Sequence, residues 1–261
     1  MKIVVMGGAG LVGASIVEIL GRQGHEVTAA SRRTGVDVLS RAGLPEVLQG
    51  ADVVVDVLNS PSFEDKVALD FFETSTNNLL TAEAEAGVGH HVALSIVGAE
   101  RLSSNGYFRA KHAQERKVQT SGVAYTLLRA TQFFEFLSSI ADFNIAGDAV
   151  RLAPARIQPI AARDVAVALS QLAQARPENA TVELAGPDPF RLDEIVRAYL
   201  AATGDGREVI SDPAALYFGS ALNDETLMTG EIPRFGHTEF DAWLRRVLRE
   251  RSIPVRPAWF A

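Results

Sequence analysis

The chain has 261 residues, 25 Lys plus Arg against 32 Asp plus Glu for a net charge of −7, with 47% hydrophobic and 22% charged residues and no cysteine. At roughly 150 residues per domain this is one large domain, or one with a smaller appendage, and its composition is that of a folded chain rather than a disordered one. The acidic balance argues against a nucleic-acid or anionic-membrane binder, and the absence of cysteine excludes disulfides, thiolate metal sites and thiol nucleophiles.

The first apolar run, Ile3 to Met6, is too short for a signal-peptide core and is followed by glycines. No stretch approaches the ~18–20 apolar residues that span a bilayer, so a soluble, cytoplasmic protein is expected. Ile3 to Met6, His25 to Ala30, Ala51 to Leu58, His91 to Ile96 and Tyr125 to Leu128 read as strands that are apolar nearly throughout, the signature of a sheet covered on both faces. Helical patterns alternate with them at Leu11 to Gln23, Glu64 to Ala86 and Tyr107 to Thr120. Ser62-Phe63-Glu64-Asp65 offers the second of these a capping box. Such alternation predicts βαβ units and a doubly wound parallel α/β sheet.

After about Val150 prolines punctuate shorter elements. Helices are expected at Arg163 to Ala175, Leu192 to Ala202 and Thr238 to Arg249, with a strand at Thr181 to Leu184. In the last helix Phe240, Trp243, Leu244, Val247 and Leu248 form the apolar stripe, leaving Arg245, Arg246 and Arg249 on a solvated face. The expected division is a dinucleotide-binding domain over 1–152 and a smaller C-terminal substrate or lid region over 153–261.

Between the first strand and first helix lies Gly7-Gly8-Ala9-Gly10-Leu11-Val12-Gly13. Glycines there permit a tight turn, close approach of backbone to a pyrophosphate, and close packing of helix on strand. The helix N-terminus adds free N–H groups and partial positive charge. In that strand–loop–helix context the motif is a strong signal for a dinucleotide. The second strand ends at Ser31-Arg32-Arg33, where an acid would select NAD and a base accommodates a 2′-phosphate. The expected cofactor is therefore NADPH, with NAD left open; Asp37 is assigned beside the adenine. Leu58, Asn59 and Ser60 follow a strand and belong at the sheet's carboxyl edge beside the cofactor.

Further on, Ser95 ends a strand and Tyr107-Phe108-Arg109-Ala110-Lys111 puts a tyrosine and a lysine on one helix face. With the glycine loop, this Ser…Tyr-x-x-x-Lys set resembles the short-chain dehydrogenase/reductase superfamily. More narrowly, Ala86 to Val88, His91 to Gly98, Gly106 to Glu115 and Tyr125 to Phe133 resemble its atypical, NmrA-like NAD(P)H-binding branch, over roughly residues 1 to 200. The resemblance implies a Rossmann-type fold and carbonyl reduction. Ser95 would orient the substrate oxygen, Tyr107 would protonate it, and Lys111 would hold the nicotinamide ribose. A tyrosine near pKa 10 is a competent acid, and a close Lys111 ammonium would lower that value.

The expected substrate side comprises Ser95, Val97, Thr131, Gln132, Phe133 and Tyr217, with an apolar or aromatic carbonyl, enone or quinone as small-molecule substrate. Neither nucleic acid nor membrane is an expected partner. His90 and His91 fall on opposite strand faces and predict no metal site; Asp164 reads as a first-turn residue rather than a catalytic acid. Two functional classes stay open: a reductase that needs Tyr107, and a cofactor-sensing regulator that needs only the glycine loop.

Overall fold

The structure, a computed structural model, describes residues 1–251. The chain runs β1 (Lys2–Met6), α1 (Leu11–Arg22), β2 (Glu26–Ala30), α2 (Leu44–Leu48), β3 (Val53–Asp56), α3 (Asp65–Ala86), β4 (His90–Ile96), α4 (Gly106–Thr120) and β5 (Tyr125–Ala130). It continues through α5 (Leu137–Phe143), β6 (Ile145–Ala146), β7 (Ala149–Leu152), β8 (Arg156–Ile157), α6 (Ala162–Gln174) and β9 (Ala180–Ala185). The last elements are β10 (Phe190–Arg191), α7 (Leu192–Ala202), β11 (Glu208–Ser211), β12 (Arg234–Phe235) and α8 (Phe240–Arg251).

Seven strands form one sheet in the order β2-β1-β3-β4-β5-β9-β12, every pair of them parallel. Parallel pairing demands crossovers, and these lay helices on both faces. The side chains of β1 divide accordingly: Ile3 and Val5 pack with Val12, Ile16 and Leu20 of α1 and Val165 and Leu169 of α6. Val4 and Met6 pack instead with Leu44 and Leu48 of α2 and Leu79 of α3. The doubly wound Rossmann-type fold expected from the alternation is present. Because β3 pairs with the other side of β1, β2 is the sheet's edge. The strand order reverses between β1 and β3, which puts the ligand crevice of such sheets above their carboxyl ends.

A second cluster joins Phe134, Leu137, Ile140, Leu152, Ile195, Tyr199, Phe240 and Trp243. It is roofed by a small sheet β11-β7-β6 and the β8–β10 pair. The chain passes between the two units more than once. Residues 137–152 lie with the smaller unit, whereas α6, β9 and β12 return to the large sheet beyond position 152. Of the region expected at 153–261, residues 252–261 lie outside the described residues.

Two local expectations are corrected. Asp65 does not close a capping box: Glu64 is the N-cap of α3 with no side-chain cap, and Ser62 Oγ accepts from the Glu64 N–H at 3.0 Å. The Asp65 carboxylate is drawn across to the Gly106 N–H at 3.1 Å and to Arg109 at 2.7 Å, tying α3 to α4. In α8 the buried stripe is Phe240 and Trp243 with Leu244 and Val247 partly covered, while Leu248 is exposed. Trp243 is fixed because its indole N–H donates to Glu135 at 2.9 Å. Asp164 is a first-turn residue of α6, and it accepts from the His237 and Thr238 N–H groups at 2.9 and 2.8 Å.

His90 and His91 do face opposite ways, His90 to Thr126 at 2.9 Å and His91 to Glu83 at 2.9 Å. Burial pulls His90 down to about 4 from its ordinary 6.5. The unfolded chain therefore binds this proton first, and stability held above pH 6.5 is lost as pH falls toward 4. Urea unfolding should show the wild type losing roughly 2–3 kcal/mol over that window, and His90→Gln should remove most of the slope. An unchanged slope in the variant would refute the assignment.

Candidate active site

The glycine loop is built by close approach. Gly7 turns the chain at φ +80°, with its N–H donating to Ala30 O at 3.0 Å. A Cβ on Gly8 would lie 2.8 Å from Ala29 Cα, and one on Gly13 would fall onto the Gly7 carbonyl. Gly10 differs. Its φ of −82° is ordinary, and the nearest atom to an added Cβ is Gly7 O at 3.3 Å. No other atom of the described residues lies within 4 Å on that side, which is where a phosphate would meet the backbone. Gly10 is the N-cap of α1, with no side-chain cap and no acidic residue in the first turn. The N–H groups of Leu11, Val12 and Gly13, which no helical turn can satisfy, thus have no anion of the protein's own. The loop fits a pyrophosphate.

At the end of β2, Ser31 leads a 3-10 turn over Arg32–Thr34, and its N–H donates to Thr34 Oγ1 at 2.9 Å. Arg32 and Arg33 are exposed and, among the described residues, neither takes part in any of the ion pairs the chain forms elsewhere. Asp37, expected beside the adenine, turns inward on its own loop and accepts from the Leu39 N–H at 2.9 Å.

After β3, Asn59 Oδ1 accepts from the Tyr107 hydroxyl at 2.8 Å, so two of the sequence-selected residues meet at the crevice. Leu58 donates its N–H to Asp56 at 2.9 Å, and Ser60 Oγ donates to Ser62 O at 2.8 Å, which shape the turn below Asn59. Tyr107 stands in the first turn of α4, whose N-cap Asn105 accepts from the Phe108 N–H at 3.2 Å. Burial pushes the Tyr107 hydroxyl up, and the bond to Asn59 only partly opposes this. The Lys111 ammonium is bonded to Leu94 O and Gln114 Oε1, not to the tyrosine. The expectation that Lys111 lowers the tyrosine is therefore corrected, and Tyr107 is held neutral.

Lys111 instead points into the layer between α4 and the sheet. Its ammonium donates to Leu94 O at 2.8 Å and to Gln114 Oε1, and lies 4.7 Å from the centroid of Phe72. Gln114 passes its own N–H to Asp56 at 3.1 Å. Burial pulls Lys111 down to about 8, against the opposing charges of Asp56 and Glu115. Ser95 faces the same layer. Strand residues alternate, and Ala93, two positions earlier, packs on Leu80 of α3 and Val118 of α4. Ser95 accordingly lies buried in this layer, its hydroxyl without a hydrogen-bond partner among the described residues, while burial raises the Glu115 carboxylate less than Arg129 and its other partners lower it. Two helical turns separate Glu115 from Tyr107. The structure brings Tyr107 to Asn59, and does not bring Ser95 to Tyr107.

On the far side, Val97 is wholly buried after β4, with its N–H on Ala130 O at 2.9 Å. Thr131 Oγ1 donates to Gln158 O at 2.6 Å, Gln132 is 7% exposed, and the Phe133 ring lies tilted against Phe136 with centroids 5.8 Å apart. Tyr217 is buried against Phe108 and Phe218, with ring centroids 6.3 and 4.7 Å apart. Burial first, then Tyr107, hold its hydroxyl protonated. Sequence reading did not single out Phe63 or Phe143. Phe63 packs on Tyr107 at 5.0 Å and on Phe143 at 5.9 Å, and Phe143 on Phe218 at 4.9 Å. Both are exposed, and exposed phenylalanines leave no periodic signal. Phe218 is held at φ +48°, a conformation disfavoured for a bulky residue, with Asn105 donating to its carbonyl at 2.8 Å.

A parallel sheet with a glycine loop at its switch point and free helix N–H groups beside the strand ends makes this a Rossmann-type protein with a dinucleotide-binding loop. The family described as NAD(P)H-binding matches residues 7–175, and the chain belongs to that family. Among curated proteins it is 28% identical over 219 residues to an NAD(P)H azoreductase of Xenophilus azovorans, covering 77% of this chain and 74% of that one. Solved structures share the fold. A short-chain dehydrogenase/reductase superfamily protein from Agrobacterium tumefaciens with bound NAD superposes with TM-score 0.71 at 18% identity, over 97% of each chain. The dTDP-4-dehydrorhamnose reductase of Bacillus anthracis in complex with NADP gives 0.69 at 14% identity, over 95% of this chain and 98% of that one. Among the described residues no helix is long and apolar enough to cross a membrane.

The two glycines should separate on substitution. Gly13→Ala forces a methyl onto the Gly7 carbonyl and should cost about 1–3 kcal/mol or more in urea unfolding. Gly10→Val should cost no more than about 1 kcal/mol yet weaken NADPH binding at least tenfold by calorimetry, because its side chain occupies the phosphate face. Full NADPH affinity in Gly10→Val would contradict this placement.

Proposed function

We propose that the protein is an NADPH-dependent reductase of a planar, apolar, conjugated acceptor such as a quinone or enone, with Tyr107 as proton donor. The observation that carries the reading is the Tyr107 hydroxyl. Burial keeps it protonated and Asn59 orients it, at the strand ends and under a wall of aromatic rings from Phe63, Phe143, Tyr217 and Phe218. Support for reductase chemistry comes also from the curated relative, named for azo reduction; an azo bond, like a carbonyl, becomes basic as it accepts two electrons.

Bound NAD(P)H would supply a hydride. Gly7, Gly8, Ala9, Gly10, Leu11, Val12 and Gly13 would hold its pyrophosphate, and Arg32 or Arg33 beside Ser31 its 2′-phosphate. Leu58, Asn59 and Ser60 would lie along it. The chain's own work is to seat the acceptor between the rings, exclude water, and pass the Tyr107 proton to the oxygen or nitrogen that gains charge. Aromatic rings favour a flat conjugated partner through offset or edge-on packing. Lys111 fixes α4 on β4 and so sets where Tyr107 stands. Ser95, buried between α4 and the sheet, is given no contact with substrate.

A cofactor sensor without turnover is the second reading, and the separation of Ser95 from Tyr107 favours it. Tyr107→Phe decides between the two. In the reductase, turnover of a quinone or azo substrate should fall by about 10²-fold while the NADPH dissociation constant barely moves. Undiminished turnover in the variant would remove Tyr107 from the chemistry; no wild-type turnover across a quinone, enone and azo panel, with NADPH binding altering a partner protein's affinity, would favour the sensor. Cofactor choice is tested separately: Arg32→Ala or Arg33→Ala should weaken NADPH and leave NADH unchanged, and equal wild-type affinities for the two would overturn the preference.

A further inference from the structure

The side-chain amide of Gln132 has neither its nitrogen nor its oxygen in a hydrogen bond among the described residues, although the residue is only 7% exposed. A native fold seldom leaves both ends of a buried amide unmet, since each unpaired group loses its hydration with no bond in exchange. The backbone around it is held by hydrogen bonds on both sides. The Thr131 N–H donates to Leu184 O at 3.0 Å, the Ile160 N–H donates to Gln132 O at 2.9 Å, and the Phe134 N–H donates to Ile160 O at 2.9 Å. The amide thus sits on a rigid segment that holds it without providing a partner.

Its position limits what the partner can be. Gln132 follows the carboxyl end of β5, and the order β1-β3-β4-β5 places it three strand positions from the glycine loop, on the order of 14 Å along the crevice. A dinucleotide whose pyrophosphate rests on α1 sends its nicotinamide half in that direction, because Arg32 and Arg33 mark the other side, at β2, for the adenosine end. Nicotinamide carries a primary carboxamide. That group offers one acceptor and N–H donors side by side, and so complements another primary amide through two reciprocal hydrogen bonds.

We propose that Gln132 reads the nicotinamide carboxamide and fixes which face of the ring meets the substrate. The inference rests on the NADPH reading above and adds a specificity-determining residue to it. Gln132 is then a group that the folded apo chain leaves unsatisfied and that cofactor binding completes.

The test uses purified full-length wild type and Gln132→Leu. Two quantities are measured: apo melting temperature, and dissociation constants for NADPH and for its 3-acetylpyridine analogue, which keeps the exocyclic carbonyl acceptor but has no amide N–H. Wild type should bind NADPH about tenfold more tightly than the analogue. Gln132→Leu should bind both alike, with the NADPH constant raised about tenfold, and should melt no lower than wild type, because an unpaired buried amide has been replaced by an apolar group. A ratio unchanged in Gln132→Leu overturns the proposal, as does a lower melting temperature with NADPH affinity intact, which would make the amide structural. Wild type that binds NADPH but not selectively over the analogue refutes the Gln132 assignment alone. Wild type that binds neither NADPH nor NADH refutes the parent reading with it.

Discussion

The rest of the site depends on how closely α1 is seated on the loop before it. A single methyl at Gly13 would collide with the Gly7 carbonyl, and one at Gly8 would collide with Ala29. Only because those positions lack side chains can the helix start immediately above β1 and direct its unpaired N–H groups across the strand ends. Val12, Ile16 and Leu20 then bury against Ile3, Val5 and the α6 side chains, so the packing that stabilises the domain is the packing that aims the helix. Relaxing the loop by an ångström would cost core contacts and misdirect the anion site together.

A second constraint works from the opposite face. Between the sheet and α3 and α4 lies a buried polar layer. Asp56 and Gln114 hold Lys111, Glu83 holds His91, and Glu115 takes Arg129 at 2.6 Å. Burying such groups is expensive, and replacing them by packed apolar side chains is often neutral or better for stability. Removing one partner is another matter, costing about 3–5 kcal/mol by leaving a charge unpaired. The layer therefore tolerates only one seating of α4 on β4. That seating brings Tyr107, in the first turn of the helix, to Asn59 at the end of β3. Lys111 serves the site at one remove, by fixing the helix that carries the tyrosine.

The sheet and glycine loop were legible in the sequence because their signals are local. Ile3 to Met6, the glycines at 7, 10 and 13, and the apolar spacing of α1 all lie within 22 residues, and most predicted element ends fall within two or three residues of the observed ones. The side chain of Ser95 was not legible. Strand alternation says that it shares a face with Ala93 and His91, but which helix layer covers that face is set by α3 and α4 packing. The return of β9 and β12 to the large sheet was hidden for the same reason, β12 being two residues long. A lone carboxylate in the run Val53-Val54-Val55-Asp56 was the available hint of the polar layer. The contact of Tyr107 with Asn59 spans 48 positions, and only the assembled sheet puts the two together.

The central claim is that the loop above β1 and the strand ends beside it hold a nicotinamide dinucleotide. Calorimetric titration of the folded wild-type protein with NADPH and NADH tests it most directly. The account predicts saturable binding at one site per chain, tighter for NADPH. A folded protein that gives no binding heat with either cofactor, and no rise in melting temperature in their presence, would contradict it.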